Sequence, residues 1–125
     1  MATKTLAAWA TALTVASLPV SVKKAAVRSL YNYIGCAIGG SSHPTVSKAQ
    51  SALAPFFGKA TSTLYGHNGA SSTDAQHAAL LNGIASHVYD YDDTHLATII
   101  HPTGPVASAL LAYAEYTGGV SGSDL

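Results

Sequence analysis

The sequence has few of the residues that mark disulfide-linked, membrane-spanning or nucleic-acid-binding proteins. Cys36 is the one cysteine among 125 residues, so no disulfide can form within the chain. Its place in an apolar helical pattern predicts a buried, inert thiol in a reducing compartment. No apolar run is long enough to span a membrane. Lysine and arginine together number six, without a cluster of arginines, which argues against a nucleic-acid surface.

Each half of the chain lacks charge of one sign. No acid precedes Asp74 and no lysine or arginine follows Lys59, although the formal net charge is zero. We interpret the scattered cations as a solvated face. The start of the chain has a faint look of a targeting segment, but Leu6, Trp9 and Leu13 recur at the spacing of an amphipathic helix. We expect a cytoplasmic or mitochondrial protein.

Hydrophobic spacing and stop signals predict an all-α fold, a bundle of about five helices in a single domain over residues 1–125. The predicted helices cover about residues 5–17, 21–39, 44–54, 74–89 and 105–118, and Asn68-Gly69 predicts a turn. We expect apolar side chains at helical spacing to form the buried faces of the second, fourth and fifth helices: Val27, Leu30, Tyr31, Ile34 and Ile38; Leu80, Leu81, Ile84, Ala85 and Val88; and Val106, Ala109, Leu110 and Tyr113. Because the fourth helix is otherwise made of small residues, we predict that it is central. The Gly35-x-x-x-Gly39 spacing predicts close helix packing.

Residues 86–105 hold the densest group of titratable side chains: His87, Asp90, Asp92, Asp93, His95 and His101. If the fourth helix continues for one more turn, Asp90 and Thr94 form one polar shelf and Asp92 points away. His101 would face this shelf from the loop before the fifth helix. The free N–H groups at residues 106–108 would then bind a carboxylate. Such a site suits proton abstraction or delivery next to a carboxylate group.

Three other interpretations stay open from the residues alone. Asp90-x-Asp92-x-Thr94 matches the D-x-D-x-T motif of haloacid-dehalogenase-type phosphotransferases, but that motif should follow a strand and the preceding residues have helical periodicity. The carboxylates and imidazoles could also bind a divalent metal, although their spacing does not match an EF-hand. They could equally play structural roles, as caps and as partners of buried carbonyl groups.

Two stretches are similar to the signature of the MmgE/PrpD family, which includes 2-methylcitrate dehydratase and cis-aconitate decarboxylase. They are residues 79–95, A-L-L-N-G-I-A-S-H-V-Y-D-Y-D-D-T-H, and residues 101–106, H-P-T-G-P-V. The resemblance continues upstream through residues 29–39, S-L-Y-N-Y-I-G-C-A-I-G, and through the Leu64-Tyr65-Gly66 turn. It covers nearly the whole chain.

The resemblance implies the N-terminal part of an all-helical domain, usually in a homodimer, that acts on small di- or tricarboxylates without a metal or an organic cofactor. It implies catalytic roles for His101, Asp90 and Thr94, and it places Asp93 and His95 in the signature as substrate-binding candidates. Neither a membrane nor a nucleic acid is expected as a partner.

The sequence also departs from the family pattern. Family members are considerably longer, and the lid domain and the lysines that would bind substrate carboxylates have no counterpart in this sequence. We therefore expect a truncated domain with a lyase-type site, dehydratase or decarboxylase, that has little or no activity alone. The alternative is a non-catalytic helical module that pairs with itself or with a full-length homologue through apolar faces.

Overall fold

Five α-helices and one short pair of strands make up the computed structural model, which describes residues 1–66 and 71–125. The helices are α1 (Ala2–Ala12), α2 (Val20–Gly40), α3 (Pro44–Leu53), α4 (Ala75–His87) and α5 (Thr103–Tyr116). Strands β1 (Ser62–Thr63) and β2 (Ser72–Thr73) are antiparallel. This confirms the predicted all-α bundle of about five helices. The predicted turn at Asn68-Gly69 lies outside the described residues, and so does His67, which the sequence predicts to be in a loop.

Helix α4 is the centre of the bundle, as its small side chains predict. It packs most extensively against α5 and α2, and it also contacts α3. The contact with α2 is closest at Gly40, where an added Cβ atom would overlap the Ala85 carbonyl group and come within 2.8 Å of Val88 Cγ2. By contrast, the space beside Gly35 is open. Close packing therefore depends on Gly40, one residue beyond the predicted Gly35-x-x-x-Gly39 pair.

The buried faces of α2 and α5 differ from the predicted ones. Small residues, together with Tyr33, face inward on these two helices: Tyr33, Cys36, Ala37 and Gly40 on α2, and Gly104, Ala107, Ser108 and Ala112 on α5. Several large side chains that were predicted to be buried are exposed: Val27, Tyr31, Ile38, Leu80, Val106, Leu110 and Tyr113. The reason is steric, because helix backbones that approach this closely exclude large side chains from the contact.

The start of α4 is fixed by the side chain of Asp74. This carboxylate accepts hydrogen bonds from the backbone N–H of His77 at 3.2 Å and from that of Gly58 at 2.8 Å, and it lies 2.7 Å from the His77 ring. Partial burial raises the pKa of Asp74, but these hydrogen bonds outweigh it and hold the pKa well below its ordinary value. His77 therefore has a structural role at the N-terminal end of α4, opposite the end that leads into residues 87–101.

Strand β1 is joined to the bundle by buried polar side chains. Asn82 on α4 accepts a hydrogen bond from the Tyr65 N–H at 3.0 Å and donates one to the Thr63 carbonyl at 2.9 Å. Ser62 donates to the Ala112 carbonyl of α5 at 2.7 Å. These bonds satisfy backbone groups that would otherwise be buried without partners.

The N-terminal segment forms a helix but does not join the core. The predicted single helix over residues 5–17 is instead α1 followed by a 3₁₀ turn at Val15–Ser17, and the side chain of Thr14 caps this turn. None of the residues of α1 is buried, and Leu6 and Trp9 are both exposed. Over residues 1–66 and 71–125, no helix has the length and hydropathy that crossing a membrane requires.

The contact at Gly40 predicts opposite effects for two glycine-to-alanine changes on α2. Gly40→Ala should lower the free energy of unfolding, toward the upper end of about 1–3 kcal/mol, because the new methyl group overlaps the backbone of α4. Gly35→Ala should raise it by about 0.5–1 kcal/mol, because alanine is the better helix former and meets open space. Urea unfolding of both variants checks this, and equal effects would contradict the described packing.

Candidate functional site

The acidic segment begins where α4 ends, and it is not helical. Helix α4 stops at His87, so the predicted extra turn with Asp90 and Thr94 on one face is wrong. The Asp90 N–H donates to the His87 carbonyl at 2.9 Å, and Asp90 itself has a φ of 55°. Aspartate is one of the few residues with a side chain that adopts this left-handed conformation readily. The turn at Asp90 redirects the chain before a further helical turn can form.

A closed loop brings His101 back beside Thr94. The His95 N–H donates to the Ile100 carbonyl at 2.9 Å, and the Ile99 N–H donates to the His95 carbonyl at 2.8 Å. Ile99 has a φ of 53°, which is unusual for a β-branched residue. Residues seven apart in sequence therefore meet: Thr94 Oγ1 lies 3.4 Å from His101 Nδ1.

His101 lies between two carboxylates. Its Nε2 atom is 3.5 Å from Asp90 Oδ1, and its Nδ1 atom is 3.3 Å from Asp92 Oδ1. The structure thus brings together the three residues that were predicted to be catalytic, Asp90, Thr94 and His101. Their catalytic roles stay predictions.

Asp92 and His87 belong to the same cluster, and sequence reasoning misplaced Asp92. Asp92 was predicted to point away, yet its side chain is only 3% exposed and faces the two imidazole rings. His87 Nδ1 is 3.0 Å from Asp92 Oδ1, so His87 also contacts Asp92. The rings of His87 and His101 pack edge to face with their centroids 4.7 Å apart. Helical spacing gave no signal for this arrangement because the segment is not a helix.

The two predicted substrate-binding residues lie to either side of this cluster. Asp93 accepts hydrogen bonds from the Thr103 N–H at 3.2 Å and from the Thr103 hydroxyl, so it caps the start of α5. His95 is exposed, and its Nδ1 atom lies 2.7 Å from the Thr98 hydroxyl. Substrate binding by either residue stays a prediction.

Helix α5 begins earlier than its sequence predicts, at Thr103 rather than Pro105. The N–H groups of residues 106–108 therefore lie beyond the first three helical positions and bond within the helix, so the predicted carboxylate-binding end is wrong. At the true start, Gly104 faces Ser86 and Asp92: an added Cβ atom would lie 3.1 Å from Ser86 Oγ and 3.8 Å from Asp92 Oδ2. The lack of a side chain at Gly104 lets α5 approach the buried carboxylate.

A cavity of about 760 Å³ opens beside this cluster, between α4 and the start of α5. Its wall is mostly apolar, with Leu80, Ile84 and Pro105 among its residues, and His87, Asp92 and His101 add polar groups. Among the residues described, no lysine or arginine lines it. A small polar molecule could therefore reach both imidazole rings from one apolar hollow.

Cys36 lies on α2 and is influenced electrostatically by the same segment. Burial raises the pKa of its thiol, and the negative charges of Asp92 and Asp93 raise it further. Cys36 is 2% exposed, which confirms the predicted burial of this residue.

A comparison with known protein families identifies the family of this chain. The profile of the MmgE/PrpD N-terminal domain matches residues 4–125. The chain belongs to the MmgE/PrpD family. No curated protein matches this MmgE/PrpD domain by sequence.

The MmgE/PrpD assignment agrees with the local structure around Asp90. A phosphotransferase of the D-x-D-x-T type would need a buried strand before the first aspartate, whereas α4 and a turn precede it here. The phosphotransferase alternative is therefore wrong. The cluster of His87, Asp90, Asp92, Thr94 and His101 is the candidate functional site of this MmgE/PrpD domain.

Proposed function

We propose that this domain carries the proton-transfer part of a lyase site, a dehydratase or decarboxylase, that acts on small di- or tricarboxylates. The observation that carries the proposal is the position of His101. Its ring lines the cavity and lies beside the buried carboxylate of Asp92, the exposed carboxylate of Asp90 and the hydroxyl of Thr94. The family membership supports the same class of chemistry.

In this proposal each group has a distinct role. When the Nδ1–H of His101 donates to Asp92, the lone pair of Nε2 is free to take a proton from a substrate carbon next to a carboxylate. Asp90, 3.5 Å from Nε2, stabilises the imidazolium ion that forms. The Thr94 hydroxyl is placed to hydrogen-bond a substrate oxygen beside the ring. Asp92 touches no reacting atom in this scheme and acts as a positioning residue.

We propose little turnover by this chain alone. A tricarboxylate needs several cationic partners, and the part of the cavity wall that the structure describes carries neither lysine nor arginine. The imidazole rings are the sole groups described there that can become positive. Weak binding of substrate carboxylates follows from this charge distribution.

The proposal is tested by incubating the chain with cis-aconitate or 2-methylcitrate and following both the substrate and the histidine ring signals by NMR. We expect slow turnover, or none, together with a substrate-dependent shift of the His101 signals. His101→Asn should lower any turnover by about 10²–10⁴-fold, because it removes the group that moves the proton. His43→Asn is the matched control, since asparagine keeps the helix cap that His43 provides at the start of α3.

Three outcomes would contradict the proposal. They are rates typical of an efficient enzyme from this chain alone, turnover that persists in His101→Asn, and the absence of both turnover and any shift of the His101 signals with either substrate.

A second candidate function is self-pairing as a helical module, and the exposed apolar faces of α2 and α5 favour it. Val27, Tyr31 and Tyr113 are 70%, 83% and 62% exposed. An apolar groove of about 470 Å³ runs between the two helices and includes Leu30 and Leu110. Apolar surface on neighbouring helices is typical of an interaction site.

Self-pairing predicts a dimer in solution. Leu110→Glu on α5 should convert the dimer to a monomer, because it places a charge in the groove. Leu6→Glu is the control, a matched change on α1, which has no buried residue. Mass measurement by light scattering distinguishes the outcomes, and a monomeric parent chain would rule out this second function.

A further inference from the structure

Four possible metal ligands converge at the end of α4. His87, Asp90, Asp92 and His101 each offer one nitrogen or oxygen atom, and these four atoms lie within 4.8 Å of one another. They come from three separate parts of the chain: the last residue of α4, the turn that follows it, and the loop before α5. We propose that these side chains form a binding site for a divalent transition-metal ion, with Zn²⁺ as the ion that fits best.

The distances between neighbouring donor atoms suit a small ion. His87 Nδ1 lies 3.0 Å from Asp92 Oδ1. His101 can bind the ion through only one of its ring nitrogens, either Nδ1, which is 3.3 Å from Asp92 Oδ1, or Nε2, which is 3.5 Å from Asp90 Oδ1. Ligand atoms of a tetrahedral zinc ion lie about 3.3 Å apart when the metal–ligand bonds are about 2.0–2.1 Å long. The widest separation between donor atoms in the cluster, up to 4.8 Å, needs to close by up to about 1.5 Å.

The exposure of the four side chains allows that adjustment. Asp92 and His101 are 3% and 22% exposed and form the fixed side of the site, because packing holds their positions. His87 and Asp90 are 55% and 75% exposed, and both can change rotamer without disturbing the core. A site with two fixed and two adjustable ligands can close around an ion.

Charge provides a second, independent argument. Two carboxylates stand together here, one of them almost fully buried, and the described wall of the adjoining cavity offers two imidazoles but no lysine or arginine to balance them. Buried carboxylates are stabilised by pairing with a cation. A divalent ion would supply that charge, whereas a carboxylate anion would add to the imbalance.

The donor types favour a transition metal over magnesium or calcium. Imidazole nitrogen suits Zn²⁺, Cu²⁺, Ni²⁺ and Co²⁺, whereas Mg²⁺ and Ca²⁺ prefer six or more oxygen ligands. Two imidazoles with two carboxylates make a four-coordinate N₂O₂ set. The sequence resemblance implies chemistry without a metal, and this inference departs from it.

A bound ion would take either the Nε2 lone pair of His101 that accepts the proton in the proposed lyase chemistry, or the Nδ1 atom that donates to Asp92 in that scheme. Metal binding and proton transfer by His101 therefore exclude each other, and the ion would act as an inhibitor of any turnover. The metal site itself does not rest on the proposed lyase function, because binding is measured with the ion alone.

The experiment titrates the chelator-treated full chain with Co²⁺, followed by visible absorption, and with Zn²⁺, followed by calorimetry. We expect one ion per chain, four-coordinate Co²⁺ bands, and displacement of Co²⁺ by Zn²⁺. His87→Ala should weaken binding by about 10-fold or more, since it removes a ligand from an exposed position where folding is not at stake. His43→Asn removes an imidazole elsewhere and should leave the affinity unchanged.

The absence of saturable binding of either ion to the parent chain would overturn the proposal. So would equal affinities for His87→Ala, His43→Asn and the parent chain, since these would place the ion at another site. Asp92→Asn provides a further check, with its circular dichroism spectrum showing whether it is folded: a folded variant that binds Co²⁺ as tightly as the parent chain would also overturn the proposal. Failure of the lyase assay has no bearing on these results.

Discussion

The buried carboxylate of Asp92 is the group on which the candidate site depends. It lies 3.0 Å from one imidazole, that of His87, and 3.3 Å from another, that of His101, and it is nearly inaccessible to water. A buried charge without partners is costly, so both rings are held where they can meet it. Because Gly104 lies directly beside this carboxylate, the start of α5 and the end of α4 are positioned by the same group. Removing the Asp92 charge would release both rings.

Close approach of the helices gives the site its location. Gly40 lets α2 lie against the backbone of α4, and Ala85 and Ser86 of α4 are buried in the same region. The large apolar side chains of α2 and α5 are consequently turned outward. Packing by small residues thus explains two features together, a tight contact at the end of α4 that holds the site and an apolar surface on the outer helices.

The number of helices and most of their ends could be predicted from the sequence, because local signals determine them. Pro44 begins α3 and Asp74 caps α4 as expected. The buried faces could not be predicted, because sequence reasoning assigned the core to the largest apolar residues. The sequence correctly predicted that Asp90, Thr94 and His101 lie close together, but for a wrong reason. The prediction placed Asp90 and Thr94 on one face of a helix, whereas the chain turns at Asp90 and Ile99, which both have a positive φ. A positive φ in a residue other than glycine cannot be recognised from a hydrophobic pattern. The inward position of Asp92 depends on these backbone conformations.

The most direct test of this account compares the imidazole nitrogen signals of the parent chain and of Asp92→Asn by two-dimensional ¹H–¹⁵N NMR. The account predicts that the Nδ1 signals of both His87 and His101 move, since both atoms face the altered group. The signals of His77, which pairs with Asp74, should stay in place. Unchanged signals of His87 and His101 in the folded variant would contradict the central role of Asp92.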